Sequence, residues 1–469
     1  MANQSAAAAR LEGRSAGTFP RSFWTANVTE LFERGAYYGM ASFVVIYLGR
    51  LGMGRYWPST LNSVLWSLVY FLPILSGTIA DQIGFRRALL GACVLLTGGY
   101  LLMGAPVWFA GAPLLDEAGR EVTAAPGVAL TTVFAIALIG LGGSIVKPCI
   151  SGTVQKTAAG RATLAFAIFY MVINIGSLFG RAVSYYVRTH SSLSAIFGVS
   201  MTCAVCAFLV VAALYREPKA ETSTPAPPPP AVPRKSVWSI LKGVVLVLRS
   251  PRFALFLVVN VGFNFLYSQV YNVLPLYLVT VLEKKPPVDI YTMANPLVIV
   301  CFQLLITRLF GRMAPVRSMV VGTLVISFAM LINLVPLYLA GGPRATGPLG
   351  IPIGSLFVVG TVALIALGEL FGQARVFEYI GAFAPKGQEG LFLGYANIPT
   401  ALGSLAGGPV GAYLFHEVIC RGATKDATGL LVLDRGNATA GWLVLTAIGL
   451  VSACGLWLYN RWVTLTPQT

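Results

Sequence analysis

At 469 residues, 56% hydrophobic and 11% charged, with a mean hydropathy of +0.75, this chain excludes a soluble domain and describes a protein of the lipid bilayer. Its net charge of +16 is no nucleic-acid footprint: 19 Lys and Arg fall in loops on the side of the N-terminus and 10 in the opposite loops, the asymmetry of membrane topology. The seven cysteines form no disulfide framework. Six of them (Cys93, Cys149, Cys203, Cys206, Cys301 and Cys454) lie in apolar stretches, Cys420 ends one, and the Cys203–Cys206 pair lacks the second pair or histidine that a metal site needs.

About 20 apolar residues cross a bilayer as a helix. Such stretches recur at 21–49, 59–80, 88–110, 127–149, 162–187, 191–215, 250–281, 290–312, 316–340, 351–383, 389–418 and 440–463. Residues 1–20 read as a cytoplasmic tail and 21–215 as a bundle of six helices. The proline-rich run 216–235 cannot pack, and 236–250 has the pattern of a helix lying on the membrane surface, so 216–250 reads as a cytoplasmic linker. Residues 251–469 form a second bundle of six helices. The expected protein is all-α, multi-pass in the cell membrane, monomeric, with twelve transmembrane helices in two bundles, lipid around it and both termini cytoplasmic.

Charges inside these spans are few. Arg34, Lys147, Arg181 and Arg375 face Glu30, Glu33, Glu369 and Glu378 in number, four against four. Each costs roughly 2.5–3.5 kcal/mol at a helix centre, so they must face an interior or one another. Glu30, Glu33 and Arg34 in "TELFERGAYYGM" share one helical face. The fifth span aligns Tyr170, Asn174, Ser177, Arg181 and Ser184, where Arg181 is either a site cation or a structural one. The seventh aligns Asn260, Asn264, Ser268, Tyr271 and Asn272, and the eleventh offers Tyr395, Asn397, Thr400 and Ser404. Both stripes fit substrate contact and interhelical hydrogen bonding equally.

A loop after the second span, "GTIADQIGFRR", sets Gly77, Asp81, Gly84, Arg86 and Arg87 as G-x-x-x-D-x-x-G-x-R-R. It resembles the loop motif of the major facilitator superfamily, in which the acid and basic pair tie neighbouring helices together. "ELFERGAYYG" resembles the first-helix E-x-x-E-R-F-x-Y-Y-G motif of that superfamily's proton-dependent oligopeptide transporter (peptide/nitrate transporter) family, departing at Gly35. "AIFYMVINIGSL" resembles its fifth-helix pattern, "GGSIVKPCIS" its fourth-helix element at Lys147 and Pro148, and "LGELF" with "AP" at 384–385 its tenth-helix spacing. Tyr70 lies eleven residues before Asp81 as a binding tyrosine does in the family, Gln269 stands where a glutamine is common, and "NP" at 295–296 falls in the eighth span.

The resemblance implies a proton-coupled symporter importing di- or tripeptides, or a related small organic solute, by alternating access. It implies proton coupling by Glu30, Glu33, Arg34, Lys147 and Glu369, the last two linking the halves at a gate. Substrate would meet Tyr37, Tyr38, Tyr70, Lys147, Asn174, Arg181, Gln269, Tyr271, Asn272 and Glu369. Carboxylates carry the protons, because His190 and His416 both sit near span ends. Where peptide carriers of this family often have a carboxylate-binding arginine, seven residues after Arg34, this chain has Ala41. That leaves Lys147 as the main cation for an anionic group, with Arg181 as an addition, and implies that Ala41→Arg would improve dipeptide affinity. A drug/proton antiporter of the same superfamily, or a solute-sensing receptor on a carrier fold, is the competing reading. An enzyme would need a nucleophile–base or metal constellation, and neither that, a cofactor site nor a channel's selectivity element is visible.

Overall fold

The computed structural model describes residues 18–116, 121–158, 161–218, 238, 242, 249–383 and 394–465. Most of the expected linker and surface helix, the tail to residue 17 and the "AP" at 384–385 lie outside the described residues.

The first span is two helices, α1 (Arg21–Ala41) and α2 (Val44–Arg50). The second is also split, into α3 (Trp57–Phe71) and α4 (Pro73–Ile83), bent by 47° where Pro73 has no N–H to give the helical ladder. Gly84, at φ +90°, ends α4 in a conformation that a side chain disfavours. Then follow α5 (Phe85–Trp108), α6 (Pro126–Lys156), α7 (Ala162–His190) and α8 (Ala195–Leu214). The seventh span is broken into α9 (Pro251–Val259), α10 (Val261–Ser268), α11 (Val273–Tyr277) and a π-helical turn, Leu278–Leu282. Its polar residues Asn260, Gln269 and Asn272 sit at the breaks. The eighth span is α12 (Val288–Thr292) and α13 (Ala294–Phe310), and the ninth is α14 (Pro315–Leu331) with α15 (Val335–Tyr338). Last come α16 (Ile353–Phe383), α17 (Ile398–Tyr413) continued by a π-helical turn to Ile419, and α18 (Arg435–Leu465). Among the described residues nine stretches are long and apolar enough to cross a membrane, and the bent α3–α4 pair is a tenth. The charge-bearing α1 with α2, and α17 with its turn, complete the twelve helical passages.

Helix α1 packs against α7 and α8, α5 against α6 and α8, and α14 against α16 and α18. The two sides of the molecule meet where α3 lies on α17, α7 on α12 and α13, and α2 on α11. The α1–α7 contact is close at Gly35, where the glycines required are those of α7. A Cβ on Gly180 would fall on the Gly35 backbone, and one on Gly176 would come within 2.7 Å of the Leu31 carbonyl oxygen. Only paired glycines let two membrane helices touch backbone to backbone. Gly180→Val should therefore cost about 1–3 kcal/mol through overpacking and lower the thermal unfolding midpoint. Gly91→Ala, which meets nothing within 4 Å, should leave it in place.

Candidate functional site

Helix α1 carries its charges inward. Arg34 Nε donates to Glu33 Oε2 at 2.5 Å and lies 3.3 Å from Glu30 Oε1, with all three side chains at most 4% exposed. Neither oxygen of Glu30, nor Glu33 Oε1, nor Arg34 Nη2 has a hydrogen-bond partner. Two buried carboxylates thus share one guanidinium, an excess of one negative charge within the trio, with the Lys147 ammonium the further cation in electrostatic reach.

One turn further, Tyr37 and Tyr38 continue this face toward α3. The Tyr37 ring meets Trp66 edge-on at 5.5 Å, Trp66 stacks on Tyr70 at 5.9 Å, and Trp66 lies 4.6 Å from Tyr271 of the opposite side. Trp66 is thus the hub of an aromatic wall joining both sides. It occurs one turn before Tyr70, and that i, i+4 spacing was the signal for it.

Lys147 and Glu369 do not form an ion pair in this conformation, contrary to the gate expected of them. Lys147 Nζ sits 4.7 Å from the centre of the Tyr70 ring, within electrostatic reach of Glu30, Glu33 and Glu369. Glu369 is held on its own side by Asn295 Nδ2 at 3.2 Å, the asparagine of the "NP" pair, and by the Tyr267 hydroxyl. Arg375 and Glu378 pair with each other at 2.6 Å near the end of α16, and Arg375 also donates to the carbonyls of Phe310 and Gly311. That pair closes a helix end and takes no part in the interior cluster.

Arg181 is wholly inside. It donates to Ser177 Oγ and, at 3.3 Å, to the Tyr271 hydroxyl, and its guanidinium lies 5.0 Å from the Tyr38 ring centre. It forms no ion pair among the described residues. Burial at 1% exposure rules out snorkelling to the membrane surface.

Other expected site residues make hydrogen bonds within the protein in this conformation. Gln269 is fully buried and its amide donates to the carbonyls of Phe265 (2.8 Å) and Gly407 (3.2 Å), which places it in the α10–α17 seam. Asn272 accepts from Asn62 at 3.1 Å and donates to Ser268 O, making it a tie across the two sides. Asn174 turns back to Tyr170 O at 2.9 Å. Thr400 donates to Asn264, so this pair from the two polar stripes is interhelical. Ala41 is buried at 1% exposure, so an arginine there would have to displace its neighbours.

The loop motif is only partly as expected. Gly77 packs under Pro148, with 3.3 Å left to a Cβ. Arg86 does tie helices, donating to Ala212 O at 2.7 Å, while its backbone N–H is capped by Glu217 Oε1 at 2.8 Å. The acid in that tie is Glu217, since Asp81 is exposed and, with the exposed Arg87, forms no ion pair among the described residues. Also missed was a buried pair: Arg188 of α7 grips Asp289 of α12 at 2.8 Å.

With these features in place the family follows. Residues 57–407 match the model of the Major Facilitator Superfamily, and the chain belongs to that superfamily of multi-pass membrane transporters. Within it, the chain is similar to the proton-dependent oligopeptide transporters. It is 28% identical to dipeptide and tripeptide permease A of Erwinia pyrifoliae over 186 residues, a match covering 39% of this chain but only 34% of that permease. The permease of the same name from Escherichia coli is 23% identical, with 91% of each chain covered. A solved peptide transporter POT in complex with alafosfalin superposes with a TM-score of 0.72 at 20% identity, over 96% of each chain.

Proposed function

We propose that this chain is a proton-coupled importer of di- or tripeptides, or of a related small organic solute, across the cell membrane, working by alternating access. The observation that carries the reading is the α1 trio: two buried carboxylates on one guanidinium, with three of their four oxygens free of hydrogen bonds, an arrangement suited to taking up a proton. The peptide permeases to which the chain is similar, and the aromatic wall shared by α3 and α10–α11, support a small polar substrate held between residues 21–215 and 251–469. Residues 216–250 then serve as the cytoplasmic linker, with both termini on that side, a placement the arginine and lysine asymmetry supports. The protein works as a monomer in lipid, moves its substrate unchanged, and needs no cofactor.

Uptake of labelled alanyl-alanine into liposomes holding the purified protein tests this. Accumulation above the external concentration should appear when the outside is acidic and vanish with a protonophore. Flux indifferent to the gradient, accumulation driven by the opposite gradient, or binding without flux would overturn the reading.

A further inference from the structure

Buried arginines normally face acids, because an uncompensated charge in low dielectric is among the costliest features a fold can carry. Arg181 breaks that pattern. It is 1% exposed, its Nε has no acceptor, and its two other nitrogens donate only to the neutral hydroxyls of Ser177 and Tyr271. The acid that feels its charge, Asp289, already belongs to Arg188. Arg181 and Arg188 against Asp289 leave one positive charge unanswered. Lys147, by contrast, has three carboxylates within electrostatic reach and a tyrosine ring against its ammonium. A lysine so surrounded is a poor receptor for another anion.

Around Arg181 the surroundings fit a ligand. Trp66 Nε1, on the ring packed against Tyr271, also lacks an acceptor, as does the hydroxyl of Ser184 one turn along α7. Tyr38, whose ring lies 5.0 Å from the guanidinium, is half-buried, so accessible space reaches the residue next to Arg181. Donors in surplus, an unanswered cation and flat aromatic walls are the features of a site for a planar or tetrahedral anion. We propose that Arg181, with Tyr38 and Tyr271, is the subsite for the anionic end of the transported solute, a carboxylate or a phosphonate, and that Lys147 is not. The proposal rests on the importer reading above. An arriving carboxylate replaces the Tyr271 hydroxyl as acceptor on Nη2, exchanging a neutral hydrogen bond for a charge-assisted one. Since Arg181 and Tyr271 stand on opposite sides of the molecule, the exchange also alters a contact that joins them.

Binding of alanyl-alanine and of its C-terminal amide, measured by calorimetry on the purified protein, tests the assignment. The unsubstituted protein should prefer the free carboxylate roughly ten- to a hundredfold. Arg181→Gln should remove that preference, Arg181→Lys should keep part of it, and Lys147→Gln should keep it in full. Without ligand, Arg181→Gln should unfold no earlier than the parent, since it removes an uncompensated charge. Retention of the preference in Arg181→Gln, its loss in Lys147→Gln, or failure of Arg181→Gln to fold would overturn the subsite. Equal binding of acid and amide by the parent would overturn it too, while leaving the importer reading standing. A parent that binds and transports neither probe would remove the importer reading and the subsite with it.

Discussion

Glu33→Gln should abolish accumulation driven by a pH gradient while exchange of internal for external substrate remains measurable. The substitution keeps the shape and the oxygen that Arg34 Nε approaches at 2.5 Å, but it cannot take up a proton. Glu30 then answers Arg34 alone, at 3.3 Å, and the trio is neutral without any proton. Each pH unit is worth about 1.36 kcal/mol per coupled proton, or roughly tenfold in accumulation. A gradient of one unit should therefore concentrate substrate up to about tenfold in the parent and not at all in the variant. Exchange, which returns each carrier loaded with substrate, asks for no net proton movement. Undiminished accumulation by Glu33→Gln would place proton coupling elsewhere, on Glu30 or on the half-buried Glu369.

How much of this was legible depended on whether the partner was local. Glu30, Glu33 and Arg34 lie within one turn, so helical spacing alone brings them together. The twelve passages followed from apolar length, whereas the bend before Pro73 within the expected span 59–80 was not read. The need for glycine at 180 was not read because the backbone it lies against, at Gly35, comes from another helix. Gln269 illustrates a different limit. A polar stripe on a membrane helix must face inward, but periodicity cannot tell an inward face toward a cavity from one toward a neighbouring helix. Gln269 faces α17, whereas Tyr271, two residues on, faces Arg181. Trp66 was overlooked because an aromatic in an apolar helix reads as packing. Arg188 and Asp289 were overlooked because each sits at the end of its span, where loop charges are ordinary, and 101 residues separate them.

That pair leads to the second large effect. Arg188 Nη2 meets Asp289 Oδ2 at 2.8 Å, with Asp289 1% and Arg188 15% exposed, and the guanidinium also covers the Phe43 ring. Beside it the Ser42 and Thr292 hydroxyls bond at 3.0 Å, and farther round Arg55 and Tyr56 both hold Glu417. The Arg188–Asp289, Ser42–Thr292, Arg55–Glu417 and Tyr56–Glu417 contacts each join a residue before 218 to one after 249, at the helix ends away from Gly84. Together they close that end in this conformation. Removing one member of a buried pair strands the other and costs about 3–5 kcal/mol, whereas removing both costs much less. Asp289→Ala and Arg188→Ala should each destabilise the closed end toward the lower end of that range, given the partial exposure of Arg188, and the double variant should cost less than their sum. A shift of about 3 kcal/mol changes a conformational equilibrium more than a hundredfold. Spin labels placed on α2 and α11 should accordingly report a population with that end open in either single variant, and substrate release should slow as the closed form becomes scarce. Single effects that simply add would show that Arg188 and Asp289 act independently, and the closure would then rest on Glu417 and the Ser42–Thr292 contact.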